Sequence, residues 1–97
     1  MKRNFKKYPN PVFIETGSYR GDGIKAAIHA GFKKIYSIEL KKKYYLSCVK
    51  QFSHKPYVTI LHGDSIDVLP KLLDEIDDEC TFWLDAHYSG EIGRAHV

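Results

Sequence analysis

Residues 11–39 read PVFIETGSYRGDGIKAAIHAGFKKIYSIE, and this stretch decides the fold. An apolar run over residues 12–14 breaks at Glu15-Thr16-Gly17, and a glycine-rich turn follows. Apolar residues then recur at helical spacing over 22–30, and a second apolar run ends on the acidic Glu39. A strand, a tight turn, a helix and a second strand in this order form a unit that holds an adenosine-containing molecule at the carboxyl ends of parallel strands.

The rest of the chain continues the alternation of strand and helix. We predict further strands at residues 34–38, 58–61 and 81–84, and further helices at about 41–52 and 67–76. Strict alternation with short connections implies parallel pairing and right-handed crossovers. We therefore predict an α/β fold, an open parallel sheet with helices on both faces.

The two later helices have amphipathic patterns. Their inward side chains are predicted to be Tyr45, Cys48, Val49 and Phe52 in one helix and Leu69, Leu72, Leu73 and Ile76 in the other. Pro70 is acceptable only in a first helical turn, where its missing N–H costs nothing. Cys48 and Cys80 have no CxxC spacing and fall in apolar patterns, so we expect buried free thiols.

The composition is that of a folded domain rather than a disordered tail. Of the 97 residues, 43% are hydrophobic and 13% aromatic, which suits one small domain. No apolar run approaches the roughly 20 residues that a membrane span needs. The basic start of the chain lacks the apolar core of a secretory signal. We therefore expect a cytoplasmic protein without membrane association.

Charge is divided unevenly along the chain. Residues 1–55 carry 13 Lys/Arg against three acids, and residues 56–97 carry two against nine. A basic half can bind nucleic acid, with Tyr8, Tyr19 and Tyr44 as stacking platforms. The simpler interpretation is that the lysines occupy the solvated ends of helices and strands. A non-catalytic nucleic-acid-binding domain therefore stays an alternative.

Residues 91–97 show neither helical nor strand periodicity. One back-translation of this heptapeptide coincides with a common sequencing-library adapter. We therefore expect a non-native tail, with residues 1–90 forming the amino-terminal, cofactor-binding half of a domain that is cut off after its fourth strand. The outer flank of that strand, around Phe82 and Leu84, is then expected to be an uncovered edge prone to self-association.

The glycine spacing argues against a dinucleotide. The turn reads Gly17-x-x-x-Gly21-x-Gly23, whereas the dinucleotide fingerprint needs glycine where Tyr19 and Asp22 stand. A carboxylate at position 22 also opposes a pyrophosphate at a helix N-terminus. The turn therefore favours a ligand without phosphates. It disfavours a nicotinamide- or flavin-dependent oxidoreductase, which is the alternative enzyme class.

Three carboxylates follow the predicted strands. Glu15 can receive a cationic group or hold the turn through backbone N–H bonds. Glu39, 22 residues after Gly17, can accept hydrogen bonds from both ribose hydroxyls, or it can be a solvated strand end beside three lysines. Asp64, with Ser65, can accept the adenine amino group or cap the next helix.

In this order the motifs resemble those of the class I S-adenosylmethionine-dependent methyltransferases. E-T-G-S-Y-R-G at 15–21 is similar to the family's first, glycine-containing motif, and F-W-L-D-A-H-Y at 82–88 to its fourth-strand motif. Glu39 stands where the ribose-binding acid of the family stands, and Gly63-Asp64-Ser65 where its adenine-contacting acid stands. The resemblance covers about residues 8–90.

This resemblance implies methyl transfer from S-adenosylmethionine, most simply to a small molecule. It implies a cofactor site made of Glu15, Thr16, Gly17, Ser18, Gly21, Glu39, Asp64, Ser65 and Asp85. Asp85 and His87 could supply a catalytic base or, with an external group, hold a divalent metal. A polar residue on a strand-exit loop is the alternative for His87. The chain departs from the family's pattern at Tyr19, where a second glycine is expected.

Overall fold

The structure, a computed structural model, describes residues 11–84. Strands and helices alternate strictly along this part of the chain. They are β1 (Val12–Thr16), α1 (Asp22–Ala30), β2 (Lys34–Glu39), α2 (Lys42–Gln51), β3 (Val58–His62), α3 (Ser65–Glu75) and β4 (Cys80–Trp83). The predicted order of elements is confirmed.

The four strands form one parallel sheet in the order β3-β2-β1-β4. β1 is central, and its Val12 lies opposite Lys34 of β2 and Cys80 of β4. The chain moves outward from β1 to β3 and then crosses back to pair β4 with the other side of β1. Open α/β sheets commonly bind ligands at the carboxyl ends of the strands near such a reversal.

The sheet has a hydrophobic core on each face, because successive side chains of a strand point to opposite sides. One core, under α1 and α2, consists of Phe13, Ile24, Ala27, Phe32, Ile35, Cys48 and Phe52. The other, under α3, consists of Val12, Ile14, Ile38, Leu69 and Leu72. Helices therefore cover both faces of an open parallel sheet, as predicted.

β1 extends further than the apolar run indicates. Glu15 and Thr16 belong to the strand, and their side chains are only 2% and 5% exposed. The parallel pairing explains the extension, since Glu15 lies opposite Ser37 and Thr16 opposite Ile38. The turn therefore begins at Gly17.

Pro70 does not lie in a first helical turn, so that prediction is wrong. α3 begins at Ser65, because Asp64 caps it by accepting a hydrogen bond from the Ile66 N–H at 2.9 Å. Pro70 is thus the sixth residue of the helix, and its missing N–H leaves the Ile66 carbonyl without a helical partner. Both residues are exposed, so water can solvate that carbonyl.

The buried faces of α2 and α3 are narrower than predicted. Val49 is 39% exposed and Leu73 is 37% exposed, so their predicted inward placement is wrong. Each follows a fully packed residue, Cys48 or Leu72, and one step along a helix rotates the side chain by about 100°. Tyr45 and Ile76 are half-buried at the margins, and Cys80 is half-buried rather than buried.

β4 is an edge strand of the sheet formed by residues 11–84. Phe82 and Leu84 are half-buried there. Self-association through this edge stays a prediction, as does the non-native tail, which lies outside the described residues. Within residues 11–84, none of the three helices is long and apolar enough to cross a membrane.

Candidate functional site

The turn between β1 and α1 depends on left-handed backbone conformations. Gly17 has φ 86° and Gly21 has φ 90°, values that glycine adopts without steric cost. The Gly17 N–H donates to the Ile38 carbonyl at 2.8 Å, which ties the turn to β2. At Gly21 a Cβ would lie 2.8 Å from Cε2 of Phe52. Gly21 is therefore required by both its conformation and its close packing.

Tyr19 is also left-handed, with φ 47°. Its N–H donates to Oε1 of Glu39 at 2.9 Å, and its carbonyl accepts from the Cys48 thiol at 3.3 Å. A left-handed conformation costs a non-glycine residue about 1–2 kcal/mol, which these two bonds offset. These two hydrogen bonds explain how Tyr19 is accommodated at a position where class I methyltransferases, which the motifs resemble, have glycine.

The Glu39 side chain supports the turn after β1 through hydrogen bonds. The side chain is 3% exposed, and its two oxygens accept from the backbone N–H groups of Tyr19 and Lys41, each at 2.9 Å. The interpretation as a solvated strand end is wrong, because the pairing with β3 and the cover of the turn bury it. A carboxylate has about four acceptor positions, so capacity remains for a bound hydroxyl.

Glu15 lies buried behind the turn on the same face of the sheet. Its Oε2 accepts from the Ser37 hydroxyl at 2.6 Å, and the Ser37 and Ser18 hydroxyls are hydrogen-bonded to each other. Glu15 thus supports the turn through two serine side chains. Ser37 is a supporting residue of the turn that the sequence analysis missed, although a lone polar residue in the run I-Y-S-I was a signal.

The Cys48 thiol completes the support of the turn. Burial raises its pKa from 9.0 to about 11, and the nearby carboxylates of Glu15 and Glu39 act in the same direction, while Lys25 opposes them. The thiol is therefore protonated at neutral pH and can donate to the Tyr19 carbonyl. It is a buried structural thiol, as predicted.

A cavity of about 190 Å³ opens on the other side of the turn. Its lining residues are Gly17, Ser18, Tyr19, Arg20, Asp22, Gly23 and Tyr44. The Tyr19 and Tyr44 rings meet edge to face with centroids 5.4 Å apart, and the Lys43 ammonium lies 5.1 Å from the Tyr44 centroid. The cavity is smaller than the about 300–1,000 Å³ of typical small-molecule pockets.

Asp64 and Ser65 lie at the end of β3, next to the end of β2. The Gly63 N–H donates to the Glu39 carbonyl at 3.0 Å and joins the two strand ends. Asp64 is exposed and uses Oδ1 to cap α3, so the capping interpretation is confirmed. Its other oxygen, Oδ2, can still accept a hydrogen bond from a ligand.

The predicted site residues thus have different positions around the turn. Gly17 and Ser18 line the cavity, whereas Glu15, Thr16 and Glu39 are buried in the strand ends behind it. Gly21 packs against α2, and Asp64 and Ser65 extend the same sheet edge by one strand. Asp85 and His87 lie outside the described residues.

Two apolar residues at this edge were missed by the sequence analysis. Leu40 follows Glu39 and is 62% exposed, and Ile66 lies two residues after Asp64 and is 50% exposed. A single apolar residue inside a polar turn, as in E-L-K-K and D-S-I-D, was the available signal. Such side chains can cover the faces of a bound ring.

Within residues 11–84 no group of three or more His, Cys, Asp or Glu side chains is placed to hold a metal ion. No protein-family model matches this chain, and no curated protein matches its sequence. Its function is therefore inferred from the geometry of the site.

Proposed function

We propose that this chain binds S-adenosylmethionine and is a methyltransferase or the cofactor-binding part of one, with an acceptor that is most simply a small molecule. One observation carries the proposal. The glycine turn, Glu39 and Asp64 lie at or just after the carboxyl ends of β1, β2 and β3, three adjacent parallel strands, and therefore share one end of the sheet. Their order along the chain is the order in which class I methyltransferases are organised.

The carboxyl groups around the turn support a cationic ligand, and Arg20 is the one cation among the described residues that line the cavity. Glu15 and Glu39 place two buried carboxyl groups behind the turn, and Asp22 lines the cavity at the first residue of α1. A pyrophosphate at this helix start would be repelled by the Asp22 carboxylate. A sulfonium nucleoside with an amino-acid tail has no phosphate and carries positive charge. This contrast disfavours the oxidoreductase alternative.

Each part of the cofactor has a matching group in the proposal. The methionine end lies against Gly17 and Ser18 in the cavity. The ribose hydroxyls use the remaining acceptor positions of Glu39. The adenine amino group donates to Oδ2 of Asp64, and the ring lies between Leu40 and Ile66.

The cofactor supplies an activated methyl group, and the protein has to align it with an acceptor. In the proposal Asp85 borders that methyl group, and Asp85 or His87 removes a proton from the acceptor where it starts protonated. In the proposal, residues 11–84 bind the cofactor, which donates the methyl group.

Calorimetry with S-adenosylmethionine and its demethylated product tests the proposal. We expect the 97-residue chain to bind both, and Asp64→Asn to weaken binding roughly tenfold through loss of one charge-assisted hydrogen bond. Asparagine caps a helix as well as aspartate does, so α3 should keep its stability.

Asp67→Asn is the matched control, because Asp67 is an exposed acid in the same helical turn. It removes the same charge and should leave cofactor affinity unchanged. Absence of binding by wild type, or binding of NADH instead, would overturn the proposal. Equal losses in the two variants would remove the adenine role of Asp64.

A further inference from the structure

The two faces of the molecule carry opposite charge. α1, α2 and the connections beside them form what we call the basic face, whose eight cations are Arg20, Lys25, Lys33, Lys41, Lys42, Lys43, Lys50 and Lys55. Residues 63–79, which contain α3, hold seven acids and one lysine, all exposed. Because α3 packs on the opposite side of the sheet, the uneven charge of the sequence becomes a separation across the molecule.

The basic face is not neutralised by its own acids. Glu15 and Glu39 are 2% and 3% exposed and are hydrogen-bonded inside the protein. Asp22 is therefore the only exposed acid between residues 11 and 55. All eight cations except the half-buried Lys55 are exposed. An excess of exposed positive charge on one face attracts a polyanion.

We propose that the basic face binds single-stranded nucleic acid. The strand's phosphates lie along the lysines, and a base stacks beside Tyr44. This inference goes beyond cofactor binding and does not depend on it.

The arrangement of aromatic and basic side chains favours a nucleic acid over other polyanions. Lys41, Lys42 and Lys43 begin α2 at the same sheet edge as the cavity, and the Lys43 ammonium lies 5.1 Å from the Tyr44 ring. Tyr19 packs edge to face against the same ring. Aromatic rings placed among cations give bases a stacking surface while the cations hold phosphates.

A lipid surface fits this face less well. α2 buries its apolar side in the core through Cys48 and Phe52. Leu46 and Val49 are then the exposed large apolar residues of α2, at 51% and 39%. A helix that lies in a bilayer interface needs a free apolar side. The apolar side of α2 is instead packed in the core.

Fluorescence anisotropy tests the proposal, with a fluorescein-labelled oligo(dT) of roughly 16 nucleotides and the 97-residue chain at several salt concentrations. We expect the logarithm of the affinity to fall linearly with the logarithm of salt. Replacing Lys41, Lys42 and Lys43 with Gln should weaken binding roughly 10–100-fold near 0.1 M salt and reduce the slope by about 2. Tyr44→Leu should weaken it roughly tenfold.

Lys71→Gln is the matched control for Lys42→Gln, since both remove one exposed lysine, on opposite faces. Lys42→Gln should reduce the salt slope by about 0.7, and Lys71→Gln should leave it unchanged. Circular dichroism checks that every variant is folded. If the wild-type chain binds the oligonucleotide but not S-adenosylmethionine, that result would count against the proposed enzyme and not against this surface.

Four results would overturn the inference. They are equal effects of Lys42→Gln and Lys71→Gln, no effect of Tyr44→Leu, competition by charge-matched inorganic polyphosphate as strong as by the oligonucleotide, and no oligonucleotide binding at low salt. In the last case, binding to phosphatidylserine vesicles would point to a lipid surface. Salt-sensitive self-association would instead point to a second copy of the chain.

Discussion

At the residue scale, the turn after β1 shows how hydrogen bonds from neighbouring groups hold a non-glycine residue in a left-handed conformation. Gly17 and Gly21 supply two of its left-handed positions, and Tyr19 supplies the third. The sequence drew attention to both glycines, and the structure gives both of them left-handed conformations. It could not predict the conformation of Tyr19, because that depends on a carboxylate from β2 and a thiol from α2.

Two glycines with the same backbone angle allow packing to be separated from conformation. Gly21 has φ 90° and a Cβ there would meet the Phe52 ring, whereas Gly31 has φ 91° and nothing within 4 Å. We expect Gly31→Ala to lower the free energy of unfolding by about 1 kcal/mol, and Gly21→Ala to lower it by about 2–4 kcal/mol. Urea denaturation measures both. Equal losses would show that the Phe52 contact is unimportant.

The raised pKa of Cys48 predicts a loss of stability in alkaline solution. The folded state keeps the thiol protonated up to about pH 11, whereas the unfolded chain releases this proton from about pH 9.0. The free energy of unfolding should therefore fall as the pH rises between these values, by at most about 1.4 kcal/mol per pH unit from this group.

Urea denaturation from pH 8 to 11 on wild type and Cys48→Ala checks this prediction. The variant should be less stable at pH 8 but lose less stability as the pH rises. The pH slope of Cys80→Ala is measured for comparison. The Cys80 thiol is half-buried, and burial and Asp78 also raise its pKa. An identical pH slope in wild type and Cys48→Ala would contradict the prediction.

At the element scale, α3 contains a local conflict. Asp64 starts the helix two residues before the predicted position, and the helix then has to accommodate Pro70 in its second turn. The apolar pattern of Leu69 and Leu72 predicted the helix and its buried side, while the early start comes from the cap. Burial of these leucines against the sheet outweighs the cost of the proline.

Replacing Pro70 should therefore stabilise the protein. Pro70→Ala restores the N–H that can bond the Ile66 carbonyl, and the exposed proline ring contributes no core packing. We expect a gain of about 1–2 kcal/mol, since the helical benefit of about 3 kcal/mol is reduced by a more flexible unfolded chain. Lys71→Ala, at the next exposed position, should change stability by less than about 0.5 kcal/mol. Thermal and urea unfolding measure both variants; a loss in Pro70→Ala would contradict the prediction.

At the scale of the whole molecule, two kinds of self-association have different salt dependence. Pairing through the β4 edge uses backbone hydrogen bonds and the apolar Phe82 and Leu84, so it should persist at high salt. Contact between the basic face and the α3 face is electrostatic and should disappear there. We predict association of the first kind, and sedimentation velocity at rising protein concentration in low and high salt measures it. Monomers under both conditions would contradict this prediction.

The sequence by itself determined the order of elements and their parallel pairing, because these follow from local periodicity, glycine positions and general rules for strand–helix alternation. It also placed Glu15, Glu39 and Asp64 near the carboxyl ends of the first three strands. Only the tertiary structure decided what those carboxylates do. Glu39 and Glu15 became buried supports of the turn because groups 20 to 22 residues away in sequence, Tyr19 and Ser37, meet them across the sheet. The separation of charge between the faces has the same cause, since crossover geometry places α1 and α2 on one side and α3 on the other.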